Sequence, residues 1–257
     1  MLFHVTGTEV FVAGSLHFRP TGSQLPEFLS TALASSDECI FESDLDNFHE
    51  PDFARYPAGD SLENHISPAL FSAASQLWHD IGATKPLSPL KPWYAGIAMV
   101  CVLFLRAGNS VEAGIDRQLL NAAKQAGKRL SFLESSSEAL QAFDAAPFAE
   151  QIAGLEIFLS DPNSAVATLS RHLKAWNEGN IAAFTHELKE RLRLLPLTFD
   201  GLIRNRNQQW LPQILNAIKH QRRTLIVVGA MHLAGDHSLQ QLLKQTPQNY
   251  NLVQIRP

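Results

Sequence analysis

An α/β fold, with a mostly parallel central sheet and helix-rich insertions over the carboxyl edge of the strands, is expected from three features of this chain. Four short apolar runs read as buried strands, helical repeats separate them, and two of the runs leave through one pattern, Gly, two residues, then His. The runs are Val10–Ala13 in "VFVAGSLHF", Cys39–Phe41 in "ECIFESD", Leu130–Leu133 in "RLSFLES" and Leu225–Val228 in "LIVVGAMHL". Each is brief, apolar and bounded by polar or turn residues, as a strand covered on both faces requires. "NLVQI" at Asn251–Ile255 reads as an edge strand.

The helices follow in order. "LPEFLSTALASS" (Leu25–Ser36) joins the first two strands as a βαβ crossover does. "VEAGIDRQLLNAAKQAGK" carries Val111, Ile115, Leu119, Ala122 and Ala126 at helical spacing, with Gly127 as the stop, and feeds the third strand. "GLIRNRNQQWLPQILNAIKHQRR" feeds the fourth in the same way. Two helix-rich insertions, about 48–105 and 145–220, lie between strands, the first broken by Pro86, Pro89 and Pro92. No Gly-, Ser- or Pro-rich linker divides the chain, so residues 1–257 are expected to form one domain. Trp78, Trp93, Trp176 and Trp210 sit in helical patterns and read as core.

Composition narrows the function classes. A chain of 257 residues, 45% hydrophobic, can bury a full core, and a net charge of −4 gives no reason to expect nucleic acid or a membrane surface as partner. Cys39 and Cys101 both lie in apolar settings, which suits free thiols in a reducing compartment. The longest apolar stretch, Tyr94 to Leu105, is far short of the roughly 20 residues a membrane helix needs. The first residues show neither a basic n-region nor a cleavage site, and the expected location is cytoplasmic. Oligomeric state leaves no mark on the sequence.

The strand exits carry the chemistry. They deliver His17, then Glu42 with Asp44, then Glu134, then His232. In a parallel sheet all four carboxyl ends lie along one edge, where α/β proteins bind ligands. The repeated exit therefore brings two histidines to one place. Gly14 and Gly229 let the backbone turn sharply or approach closely, having no Cβ. Imidazole and carboxylate together suit a divalent transition metal such as Mn, Co or Zn, whose bound water ionises near pH 7, with a remaining carboxylate as proton acceptor. A single G-x-x-H more often ends in a hydrogen-bonded structural histidine, and Glu134 also reads as a cap for the helix beginning "SSSEALQAF". The matched repetition is what favours function. "HELKE" at His186–Glu190 lacks the second histidine of a zinc-protease helix, and no nucleophile elbow, Walker loop or dinucleotide fingerprint is present.

Seven stretches together resemble the TraB/GumN/Tiki family, whose relatives include the erythromycin-esterase and ChaN-like proteins. They are "GSLH", "FESDL", "LKPW" (Leu90–Trp93), "AGIDRQLLNAAKQAGK", "FLES", "RNQQWLPQI" (Arg206–Ile214) and "VVGAMHLAGDHSLQQLL". The resemblance spans nearly the whole chain. It implies a mixed α/β fold and, for the Tiki branch, a metal-dependent peptidase acting on a peptide or amide bond. It puts function on His17, Glu42 and His232 as metal ligands, with Arg206 to stabilise charge and Glu134 in support. The chain departs in "GSLH", where the family often has "GTIH" or "GTSH", and in "LES", where it usually has "LET"; both changes keep the functional residue. Family members linked to pheromone shutdown imply an alternative, a non-catalytic protein that sequesters a peptide signal, a haem-like ligand or a metal.

Overall fold

A computed structural model describes residues 1–47 and 49–255. Phe48, where the sequence places the start of the first insertion, lies outside them. The main sheet has six strands: β1 (Leu2–Val5), β2 (Val10–Ser15), β4 (Glu38–Phe41), β6 (Arg129–Phe132), β7 (Thr224–Gly229) and β8 (Leu252–Ile255). Their order across the sheet is β6-β4-β7-β2-β1-β8. The pairs β6–β4, β4–β7 and β7–β2 are parallel, and β1 runs antiparallel to both β2 and β8. A mixed α/β fold with a mostly parallel sheet is therefore present. All four expected strands lie side by side, and the last strand is at an edge. β6, read as buried, is instead the opposite edge strand and is only half-buried, because among the described residues no strand covers its outer side.

Two features go beyond the sequence reading. "LFHV" is itself a strand, turned back into β2 around Gly7, whose φ of 74° favours a residue without Cβ. A second sheet of two residues per strand pairs β3 (Arg19–Pro20) with β5 (Asn109–Ser110), strands too short for periodicity to register.

The helices are α1 (Glu27–Ser35), α2 (Pro68–Asp80), α3 (Pro92–Arg106), α4 (Ile115–Gln125), α5 (Ser136–Asp144) and α6 (Phe148–Ser160). They continue with α7 (Asn163–Asn177), α8 (Ile181–Leu194), α9 (Pro196–Phe199), α10 (Arg206–Lys219) and α11 (Leu239–Lys244). Between α9 and α10 the chain forms a π-helix over Asp200–Asn205. α1 packs against α4, and α4 against β4 and β6. β6 to β7 crosses in the opposite sense to β2 to β4, for which the right-handed rule calls for α10 on the other face. The core joins the inner strands to Leu29, Leu119, Leu120, Trp210 and Ile214, all within it. The insertions pack on each other, α3 against α6 and α7, around Met99 and Leu155. They are tied to the carboxyl edge as well, since buried Trp176 of α7 donates its indole N–H to the Gly14 carbonyl at 2.6 Å.

Candidate functional site

Each of the five residues singled out in sequence stands at or over the carboxyl edge. The β2 exit is fixed first. Ile115 N–H donates to Leu16 O at 3.0 Å, drawing the start of α4 against the loop that carries His17. Gly114 makes this approach feasible, since a Cβ there would lie 2.5 Å from His17 O. Asp116, in the first turn of α4, then accepts a short hydrogen bond from His17 Nδ1. The two repeated exits touch each other. A Cβ on Gly14 would stand 3.2 Å from Leu233 Cδ1 and 3.3 Å from Ala230 Cα, tight enough to push the loops apart.

Arg206 forms the centre. It opens α10 immediately after the π-helix, a distortion that recurs at functional sites. Its Nη2 donates to Glu42 Oε1 at 2.5 Å and to Glu134 Oε1, and its Nε donates to both Glu134 oxygens at 3.0 and 3.2 Å. Nη1 donates to Leu202 O at 3.2 Å within the preceding turn. The guanidinium stacks over Trp210, 4.7 Å from the ring centre, and Trp210 Nε1–H donates to Glu134 Oε2 at 3.1 Å. Glu42 Oε2 accepts from Gly229 N–H at 2.9 Å, which ties the second strand exit to the fourth.

His232 has a defined tautomer. Asn207 Nδ2 donates to the carbonyls of His232 and His237 at 3.1 and 2.9 Å, so its Oδ1 faces His232 Nδ1 at 2.7 Å and must accept from it. The proton is on Nδ1. Nε2 keeps its lone pair, accepts weakly from Arg206 Nη1 at 3.3 Å and stands 3.9 Å from Glu42 Oε1.

The electrostatics separate the two histidines. His17 is pushed up to about 9, chiefly by the Asp116 carboxylate, against the opposing effect of desolvation. Its side chain is 56% exposed and in contact with solvent. His232 is pushed down to about 3, first by burial, with Arg206 and His17 adding to that and Glu42 opposing it. It is neutral. Burial would raise Glu42, but Arg206, His232, His17 and the Gly229 N–H outweigh it and hold the carboxyl at about 2. Glu134 is raised, because desolvation exceeds what Arg206 and Trp210 return.

Whether these residues suit a metal divides into chemistry and spacing. Each histidine has Nδ1 tied to a side-chain oxygen, the outer-shell arrangement that orients metal-binding imidazoles. To ligate, His232 Nε2 must give up Arg206 Nη1 and His17 must lose a proton. With the Glu42 carboxylate the donors fit Mn, Co or Zn. Among the described residues, however, no three His, Cys, Asp or Glu side chains stand within reach of one ion. Arg206 occupies Glu42, and Asp116 draws His17 toward α4. The chemistry fits; the three donors must draw together to share an ion.

The sequence reading passed over Asp116, Asn207 and Gly114, which orient the named residues. All three lie inside the stretches "AGIDRQ" and "RNQQW", but an outer-shell partner has no signature until the fold shows what it faces. The free-thiol expectation holds: Cys39 and Cys101 are unpaired. Among the described residues no helix is long and apolar enough to cross a membrane.

Comparison with known proteins agrees with this architecture. The uncharacterized protein YbaP of Escherichia coli (strain K12) is 28% identical over 260 residues, covering 92% of this chain and 91% of its own length. The uncharacterized protein YbaP of Shigella flexneri is 28% identical over 247 residues, covering 90% and 86% respectively. The model of the TraB/PrgY/gumN family matches residues 2–249, nearly the whole chain. The protein belongs to the TraB/PrgY/gumN family.

Proposed function

We propose that this protein is a metal-dependent hydrolase acting on a peptide or amide bond, with a divalent Mn, Co or Zn ion held by His17, Glu42 and His232. One observation carries the reading: two imidazoles at parallel strand exits, each oriented through Nδ1 by a side-chain oxygen, stand near one buried carboxylate. When bound, the ion supplies a water acidic enough to ionise near neutral pH. Glu42 accepts a proton or ligates, because its lowered pKa keeps it ionised. Arg206 holds Glu42 in place and offers positive charge to a developing oxyanion. Glu134 anchors Arg206 rather than meeting substrate. Two free cysteines favour a reducing, cytoplasmic setting for this activity.

The test is a thermal melt with Mn²⁺, Co²⁺ or Zn²⁺ and then chelator. An ion at 100 times its Kd stabilises the fold by about 2.7 kcal/mol, and chelator reverses it. A melt indifferent to all three ions removes the metal. A second reading, a sequestering protein for a peptide signal, a haem-like ligand or a metal, is favoured by Arg206, which already satisfies both carboxylates. Metal-dependent stabilisation without cleavage of any peptide in a mixed peptide pool would select that reading.

A further inference from the structure

We propose that the outer edge of β6 is the docking strand for an extended peptide, which pairs with Leu130 and Phe132 and runs on past Glu134 into the site. The inference rests on the peptide-directed reading above and supplies what that reading lacks, a place for the chain on either side of the bond.

The sheet order leaves β6 with a neighbour on one side only. Arg129 N–H donates to Asp37 O and Leu133 N–H to Phe41 O, and the parallel register sets Ser131 opposite Ile40. Backbone groups alternate along a parallel strand, so Arg129, Ser131 and Leu133 face β4 while Leu130 and Phe132 face outward. Among the described residues, the N–H and C=O of Leu130 and the N–H of Phe132 have no protein partner. Phe132 C=O accepts from Gln213 Nε2 at 3.1 Å, which ends the free edge at that point. Edge strands are commonly guarded by charge, proline or a bulge. Beyond Arg129 at its start, "LSF" has none of these.

The edge also leads to the right place. Phe132, Leu133 and Glu134 line an open cleft of about 650 Å³ together with Asp44, His49 and Ser136, within the usual size of a ligand site. A strand advances about 3.3 Å per residue, so a peptide leaving Phe132 lies over Glu134 within two residues. The other sheet edge, β8, is separated from β6 by four strands and cannot deliver a chain there. Pairing of this kind takes its affinity from the peptide backbone and tolerates many side chains.

The test uses the ¹⁵N-labelled full chain and one probe, the acetylated and amidated pentapeptide Val-Ser-Ala-Thr-Val, at millimolar concentration without added metal. Amide shifts and slowed exchange are expected at Leu130 and Phe132. An analogue N-methylated at alternate residues should bind at least about tenfold more weakly. Phe132→Pro, a change an edge strand tolerates on its outward side, removes the outward-facing donor with the ring and should lose the response, whereas Phe132→Ala, which loses the ring alone, should keep it. No response at β6, an equal response to the N-methylated peptide, or self-association of the chain through β6 would overturn the proposal. Neither metal nor turnover enters this measurement, so its failure is distinct from a failure of the hydrolase reading.

Discussion

Replacing Arg206 by Met keeps an unbranched stem over Trp210 and removes the one cation shared by Glu42 and Glu134. Those carboxylates are only 16% and 6% exposed, so water cannot substitute for the guanidinium. Breaking a buried ion pair in this way costs about 3–5 kcal/mol, which for a chain of this size lowers the melting temperature by roughly 10 °C. The pH dependence is the sharper test. In the native protein Glu42 is lowered from 4.5 to about 2, so its contribution to stability is complete above 4.5 and is lost as pH falls through about 2. In Arg206→Met two carboxylates share a buried site with no paired cation, only His17 nearby, and ionising both becomes unfavourable. Its penalty is absent below the ordinary carboxylate pKa and grows as pH rises through it. Urea melts of both proteins should therefore differ most near neutral pH and converge only as pH falls through about 2. A variant as stable as the native chain at neutral pH, or a difference constant with pH, would refute the shared-cation account.

Other consequences are more direct. Glu42→Gln should fold and lose most turnover, since an amide neither accepts the proton nor binds metal well; peptide cleavage by the purified variant checks this. His17→Ala and His232→Ala should each abolish metal-induced stabilisation, with the double variant no worse than either single, whereas His186→Ala and His237→Ala leave it intact in the same melt. Asp116→Asn should bring the His17 titration, followed by imidazole NMR, down from about 9 toward its ordinary 6.5. Because His17 carries a proton at neutral pH that a metal must displace, calorimetry should show one proton released on binding and a Kd falling about tenfold per pH unit up to about 9.

Much of this was legible in the residues. Apolar runs such as "LIVV" are long enough to register as buried strands, and a shared exit pattern is visible without coordinates. The parallel order then gathers His17, Glu42, Glu134 and His232 at one edge as a matter of topology. What stayed hidden depended on contacts far apart in sequence. Arg206 reaches Glu42 across 164 positions and Glu134 across 72. His17 reaches Asp116 across 99. No local period encodes such pairings. Trp210 reads as core from its helical spacing and is core, yet its indole N–H also braces Glu134. The strand β1 was hidden for another reason: "LFHV" precedes a Thr-Gly turn that reads equally well as a lead-in to β2.

The claim that both repeated exits serve one metal centre is tested most directly by adding Co²⁺ to the protein and following every histidine ring by NMR. One equivalent of this paramagnetic ion should perturb His17 and His232 together, with a single midpoint, while His186 and His237 stay unmoved. Perturbation of only one of the pair, two separate midpoints, or no perturbation of either ring would contradict it.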